Sequence, residues 1–176
     1  MSQIANSDQI VFAENVDRFW AVLTGSKQTP SVNTDAVGFI ALKFAEDFSK
    51  LVYSVNVNNV KNVTGVYIFY GNNSDDKNVV LELTDGHREL KPHANILTNT
   101  TDEGGITGTL SSGAVNASDL KGELKGKLLS DLYKLVTDGR LFVNIHTKEY
   151  PNGEIAGDSF VAIDRVFPDL SDFRWT

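Results

Sequence analysis

The sequence predicts a mainly β protein, an antiparallel Greek-key-like β-sandwich with one short helix near residues 130–138. The first observation is that several segments alternate their side chains with a period of two, which is typical of half-buried strands. The second is that these segments follow one another at short intervals with polar turns between them, as in sandwiches and barrels. The third is that a chain of 176 residues, 41% of them hydrophobic, is long enough for one domain with its own core.

The period-two pattern runs through most of the chain. It is clearest in segment 51–57, where Leu51, Tyr53 and Val55 share one side of the predicted strand. The other strands are expected at 18–25, 36–44, 64–70, 79–84, 105–111, 119–126, 141–146 and 154–163.

One segment follows a helical pattern instead. Leu132, Leu135 and Val136 share one helical face within residues 130–138. Ser130 is expected to cap the amino end of the helix, and Gly139 to end it in the left-handed conformation. We therefore expect one short helix between two late strands.

Composition excludes several classes of function. The chain has no cysteine, which rules out disulfides, thiolate zinc sites and cysteine nucleophiles. The net charge of −7 argues against nucleic-acid binding, because affinity for phosphates comes from clustered Lys and Arg. No run of 18 apolar residues is present, so we expect no transmembrane segment.

The domain organisation predicted from these patterns is simple. Residues 18–163 are expected to form the domain, with extensions at 1–17 and 164–176. The second extension ends in Phe173-Arg174-Trp175 and is expected to pack on the domain. Segment 86–104 is the longest stretch without clear periodicity, and turn-forming residues occupy 71–76 and 151–153.

Several blocks of sequence fall in a recognisable order. Residues 19–30 read FWAVLTGSKQTP, 51–55 read LVYSV, 78–83 read NVVLEL, and 139–157 contain GRLFVNIHT and PNGEIAG. In this order and spacing, over about residues 18–160, they resemble the chordin domain, or CHRD, family. Members of that family show L-x-Y-x-V and N-V-H-T…P-x-G-E-I-R-G at the corresponding places.

The resemblance implies a secreted or cell-surface β-sandwich module, which in chordin belongs to an extracellular protein that binds growth factors. On this basis we expect a non-enzymatic extracellular binding or structural module, with no cofactor and with a protein or cell-surface polymer as partner. The first residues lack the basic start and apolar core of a signal peptide, so any such leader is expected to have been removed.

Two positions depart from the family pattern. The family commonly has H-I-H in its central strand, where this chain has Tyr67-Ile68-Phe69. The Arg of the final family block is Ala156 here. Anything that the family does through those side chains is not carried over to this chain.

The matching motif positions define a candidate binding site. Its predicted members are Tyr67, Phe69, Asn144, His146, Thr147 and Glu154. Alternation puts Phe142, Asn144 and His146 on one side of their strand. If that strand neighbours the one containing Tyr67 and Phe69, the four rings at 67, 69, 142 and 146 form one patch.

An alternative function is copper or zinc binding in a sandwich that resembles superoxide dismutase in architecture. Its candidate ligands are His87, His93 and His146, which come together only if segment 86–104 folds over the sheet. A simpler interpretation is that His146 hydrogen-bonds a turn and that the other two histidines are exposed. Residues 72–76 are rich in oxygen donors for calcium but do not match an EF-hand loop, and a polar turn is the favoured interpretation because Asn and Asp form turns in any case.

Four Asn-x-Ser/Thr sequences are candidate glycosylation sites, which gives mild support to a secreted chain. They begin at Asn62, Asn72, Asn99 and Asn116.

Overall fold

A computed structural model describes residues 17–71, 78–83, 99–100 and 105–163, with the backbone alone at 99–100. Ten strands and one α-helix are found in these ranges. The strands are β1 Arg18–Thr24, β2 Val37–Phe44, β3 Leu51–Lys61, β4 Val63–Tyr70, β5 Val79–Glu82, β6 Asn99–Thr100, β7 Gly105–Val115, β8 Leu141–Thr147, β9 Ile155–Gly157 and β10 Val161–Ala162. The helix, α1, spans Leu129–Thr137. The prediction of a mainly β protein with one short helix is confirmed.

All strand pairs are antiparallel, and they join into one sheet with the order β5-β4-β8-β9-β1-β2-β3-β7-β6. Strand β10 pairs with β1 beside this path. Two long pairings, β2 with β3 in a hairpin and β3 with the more distant β7, build one half of the sheet. In the other half, β8 lies between β9, which follows it in a hairpin, and β4, which comes from a distant part of the chain.

The sheet curves so that its two halves enclose one core, which gives the molecule its sandwich-like form. Strand β9 connects the halves, because it pairs with β8 and, through Ala156 and Thr24, with β1. At the far side the halves meet again, where the hydroxyl of Ser111 in β7 donates to the carbonyl of Leu83 after β5. The hydroxyl of Tyr53 lies 3.2 Å from that of Ser111 and completes this buried connection.

Helix α1 closes one end of the core. It buries Leu129, Leu132 and Val136, and Tyr133 packs edge-on against Phe19, Phe44 and Phe48 with ring centroids 5.1–5.7 Å apart. Edge-to-face packing of this kind is a favoured arrangement of aromatic rings. The helix therefore joins β1 and β2 to the rest of the core.

The ends of the helix confirm one sequence-based expectation and correct another. Gly139 adopts the predicted left-handed conformation, with φ of 64°. Ser130 does not cap the amino end, because the helix begins earlier, at Leu129. Asp131 instead accepts a hydrogen bond from the backbone N–H of Leu128 through Oδ2, at 3.1 Å.

The expected strand at 119–126 is wrong. Two short 3-10 turns, Ala117–Asp119 and Gly122–Leu124, occupy this region. Gly122 and Gly126 have positive φ values of 55° and 78°, which interrupt an extended strand. Leu120 and Leu124 are nevertheless buried. The apolar residues in this segment therefore anchor a loop to the core and do not belong to a strand.

Other boundaries also moved. The expected strand 154–163 is divided into β9 and β10, and β3 continues four residues beyond 57, past an irregularity in its pairing with β7. Part of the aperiodic segment 86–104 is the short strand β6, which pairs with β7. The turn at 151–153 is present and is closed by a hydrogen bond from Gly153 N to Tyr150 O of 3.0 Å. Apart from Asp17, both terminal extensions lie outside the described residues.

Candidate functional site

Asn144 lies at the centre of a buried polar cluster beside the β8–β9 connection. Its side chain is fully buried, and Oδ1 accepts a hydrogen bond of 2.7 Å from Nε2 of Gln28. Its Nδ2 donates to the carbonyl oxygen of Asn152 at 3.0 Å. A buried amide is costly unless its polar atoms are paired, and here both ends of the amide are used.

Glu154 belongs to the same cluster. Its carboxylate is buried, and Oε1 accepts a hydrogen bond of 2.7 Å from the hydroxyl of Thr34. The same hydroxyl oxygen accepts from the backbone N–H of Ala36 at 3.1 Å. These contacts fasten the loop between β1 and β2 to the start of β9, so the first and last family-like blocks of the sequence meet here.

Gly153 is required by the geometry of this cluster. Its φ of 122° is one that side chains rarely adopt, and a Cβ at this position would collide with the amide of Asn144 and with Nε2 of Gln28. Thr147 is also buried and closes the adjacent turn, since its Oγ1 accepts from the backbone N–H of Tyr150 at 3.2 Å. The motif side chains at 144, 147 and 154 therefore all bond within the chain.

The four rings of the predicted aromatic patch lie together, because β4 pairs with β8. The ring centroid of His146 is 5.0 Å from that of Tyr67 and 6.2 Å from that of Phe69, and the Phe69 ring is 6.2 Å from that of Phe142. Phe69 and Phe142 are buried, while Tyr67 and His146 are half-buried. The patch forms a second apolar cluster on the side of β4 and β8 opposite the main core.

The described residues contain no group of three His, Cys, Asp or Glu side chains that could hold a metal ion. His146 has aromatic neighbours at 67 and 69, which cannot serve as imidazole ligands. His87 and His93 lie outside the described residues, and so does the oxygen-rich segment 72–76. The metal-binding alternative stays a prediction.

Two of the four candidate glycosylation sites, Asn62 and Asn116, have side chains within the described residues. Asn62 is exposed at the corner between β3 and β4, with φ of 49°, and Thr64 of its sequon is also exposed. Asn116 is half-buried, and its backbone N–H donates to Oδ2 of Asp119 at 2.8 Å. Asn72 and the side chain of Asn99 lie outside the described residues.

A different surface contains most of the exposed large apolar side chains of the described residues. It is the side of β10, β1, β2, β3 and β7 that faces away from the main core, here called the outer face. Its apolar half, on β10, β1 and β2, consists of Val161, Trp20, Val22, Val37, Phe39 and Ala41. Trp20 is 38% exposed and Val22 49%, and of the exposed large apolar residues only Leu128, at the start of α1, lies elsewhere in the described ranges.

The other half of the outer face is polar and uncharged. It consists of Ser54, Asn56 and Asn58 on β3 and Thr107, Thr109 and Ser112 on β7. The hydroxyl of Thr109 donates to Oδ1 of Asn56 at 2.9 Å, and Thr107 donates to Oδ1 of Asn58 at 3.1 Å. Nδ2 of Asn56 donates to Oγ of Ser54, also at 2.9 Å. These bonds orient the amides along the surface.

The fold and the cluster around Asn144 define an antiparallel, sandwich-like β domain in which a buried polar cluster joins the first loop to the last hairpin. A comparison with family models matches the CHRD domain over residues 19–158. This chain belongs to the CHRD domain family. No curated protein and no solved structure matched the chain. No helix of the described residues is long and apolar enough to cross a membrane.

Sequence reasoning missed Gln28, Thr34 and Gly153 as partners of the motif residues. Gln28 and Gly153 lie inside the blocks that resemble the family, and Thr34 follows the first block closely, but nothing local indicated their long-range contacts. It also missed the outer face. In β1 both sides of the strand are apolar, and alternation alone does not say which side meets the core.

Proposed function

We propose that this chain is a non-catalytic binding module of a secreted or cell-surface protein, and that it binds its partner through the outer face. The observation that carries the proposal is the concentration of exposed apolar side chains there. A large exposed apolar patch with a polar border is typical of an interaction site. On this surface Trp20, Val22, Val37 and Val161 are each at least 38% exposed.

The buried polar cluster supports the same choice of surface. Asn144, Thr147 and Glu154 are buried and hydrogen-bonded within the chain. Exposing them to a partner would leave Gln28 and Thr34 without their hydrogen bonds, at a cost of about 1–3 kcal/mol for each buried group. In this proposal these residues have a structural role. They join the loop between β1 and β2 to the β8–β9 hairpin and so stabilise the sheet that carries the outer face.

The test compares two substitutions of exposed apolar residues. Labelled parent chain, Trp20→Ala and Leu128→Ala are incubated with cells of the source organism, and the fraction retained on the cell surface is measured at several concentrations. Because a buried Trp anchor dominates many interfaces, Trp20→Ala is expected to weaken retention more than tenfold. Leu128→Ala, which removes an exposed apolar side chain outside the outer face, is expected to retain parent affinity.

Equal retention of the parent and Trp20→Ala would contradict the proposal. So would a turnover reaction that a single substitution on the outer face abolishes, since the proposed module has no catalytic step. Thermal unfolding of both variants serves as the control for folding.

A further inference from the structure

We infer that the partner bound by the outer face is an uncharged polysaccharide chain. This inference rests on the proposed function, because it names the ligand of the same surface. The face combines an apolar half, which includes Trp20 and Phe39, with an amide and hydroxyl half, and none of the side chains in its two central rows carries a charge. That combination matches the surface of a neutral sugar polymer.

The pairing register arranges the outer face in rows that cross the strands. One row runs Val161, Trp20, Ala41, Ser54, Ser112, and the next runs Val22, Phe39, Asn56, Thr109. With strands about 4.8 Å apart, the longer row extends roughly 19 Å, and adjacent rows are separated by about 7 Å. A polymer lying along a row would thus contact the apolar half at one end and the polar half at the other.

The apolar half, which includes two aromatic rings, suits the apolar side of a sugar ring. A pyranose presents a face of C–H bonds with a slight positive charge, and the face of an aromatic ring is slightly negative. Trp20 is exposed, and Phe39, one strand over in the next row, is half-exposed. Neither side chain must leave the main core to make this contact, because both point away from it.

The polar half suits the hydroxyl groups around the ring. Asn56 is held between Thr109 and Ser54 by two hydrogen bonds of 2.9 Å. An amide has two N–H donors and two acceptor sites on its oxygen, so Asn56 keeps one donor and one acceptor site for a ligand. Because the side chain is already oriented, less conformational entropy is lost on binding.

Charge and composition distinguish this ligand from the other classes. A net charge of −7 repels sulfated or carboxylated polymers, and the two central rows of the outer face have no Lys or Arg to compensate. The adjacent row holds Arg18 and Lys43, at the edge of the face. The cores of protein interfaces are depleted in Ser and Ala, whereas Ser54, Ser112 and Ala41 lie within the central row here.

The experiment measures binding isotherms of the purified chain on insoluble chitin, cellulose and mannan, with immobilised heparin as the acidic polymer. The parent is expected to bind at least one neutral matrix and not to bind heparin. Trp20→Ala is expected to weaken that binding about tenfold or more through loss of the stacking surface. Leu128→Ala is the matched control and is expected to stay within about twofold of the parent, since it lies off the face.

A second variant keeps the test valid should Trp20→Ala unfold. Asn56→Asp preserves the shape of the side chain and its bond from Thr109, but it puts a charge among the neutral side chains and removes both N–H donors, the free one and the one that bonds Ser54. It is expected to weaken binding to the neutral matrix about fivefold or more, with circular dichroism unchanged.

Three outcomes would overturn the inference: no binding to any of the three neutral matrices, binding that Trp20→Ala and Leu128→Ala reduce equally, or stronger binding to heparin than to the neutral matrices. If the neutral matrices fail while retention on cells still depends on Trp20, the ligand is of another class, such as a protein, and the proposed function stands. If retention on cells does not depend on Trp20, the proposed function fails as well.

Discussion

The two halves of the sheet differ in how many of their faces are buried. In β8, Leu141 and Val143 meet the main core while Phe142 and Asn144 are buried on the opposite side. In β1 only the core side is buried, and Trp20 on the other side is exposed. A strand buried on both faces has its polar groups committed to partners within the chain, whereas an open face can serve a ligand.

The comparison also shows how the motif residues differ from those of the proposed binding surface. Asn144 can lie inside the protein because Gln28 and Asn152 satisfy its amide. Asn56 has similar partners, Ser54 and Thr109, but lies half-exposed on the outer face. The same residue type, asparagine, therefore has a structural role at Asn144 and a proposed binding role at Asn56.

The largest expected difference in the free energy of unfolding is between substitutions of two phenylalanines that lie in opposite halves of the sheet. Phe69→Ala removes a fully buried ring and is expected to lower the free energy of unfolding by about 3–5 kcal/mol. Phe39→Ala, on the half-exposed outer face, is expected to cost roughly 1 kcal/mol. Urea unfolding of both variants checks this, and similar losses would break the distinction between a covered and an open half.

The next effect concerns two glycines. Gly153→Ala is expected to cost roughly 2–4 kcal/mol, because the new Cβ is strained at φ 122° and displaces the Gln28–Asn144 pair. Gly139→Ala is expected to cost about 1–2 kcal/mol, since φ is 64° but the space around it is open. Thermal and urea unfolding measure the difference. If Gly153→Ala lowers the free energy of unfolding less than Gly139→Ala does, Gln28 and Asn144 can rearrange around the new Cβ at little cost.

A matched pair of asparagines gives a smaller effect. Asn144→Ala is expected to cost about 1–3 kcal/mol, because it leaves the buried amide of Gln28 without its acceptor. Asn56→Ala is expected to change the free energy of unfolding by only about 0.5 kcal/mol, since water replaces its partners on the surface. The same unfolding measurement applies. Equal costs would argue that the outer-face amides are structural too.

The smallest effect comes from an exposed contact beside the buried cluster. Lys27 Nζ lies 3.0 Å from Oδ1 of Asp158, and this hydrogen bond lowers the pKa of Asp158 below its ordinary value. A carboxyl whose pKa is lower in the folded state contributes stability above its unfolded pKa, near 3.9, and loses it as the pH falls through the folded pKa. Because both side chains are nearly half exposed, the contribution is at most about 1 kcal/mol and weakens with salt.

The measurement is the free energy of unfolding of the parent and Asp158→Asn between about pH 2 and pH 7. The parent is expected to be slightly more stable at the upper end, and the two curves should converge in acid. A difference that grows as the pH falls would have the wrong sign for this ion pair.

Much of the fold was predictable because its determinants are local. Alternation located β2, β3, β4 and β8, and a helical face with a following glycine located α1 to within one residue at each end. The region 119–126 was predicted wrongly because a buried leucine at every fourth position fits a loop anchored at Leu120 and Leu124 as well as it fits an ordered element. Local pattern does not separate these cases; the positive φ of Gly122 and Gly126 does.

The candidate sites were predictable only in part. The proximity of Tyr67, Phe69 and His146 followed from their faces once β4 and β8 were assumed to be neighbours, and the structure makes them neighbours. The partners of Asn144 and Glu154 lie more than a hundred positions away along the chain, at Gln28 and Thr34. A single sequence without observed covariation holds no local signal for such contacts.

The sequence by itself determined the class of fold, the family and the choice of residues on each side of each strand. Only the tertiary structure decided which sides are covered. In β1 both sides are apolar, so Phe19, Ala21 and Leu23 could equally have been exposed and Trp20 and Val22 buried. The choice follows from the curvature of the whole sheet and the placement of α1, which cover one side of β1 and leave the other in solvent, and burial depends on that long-range packing and not on the strand's own pattern.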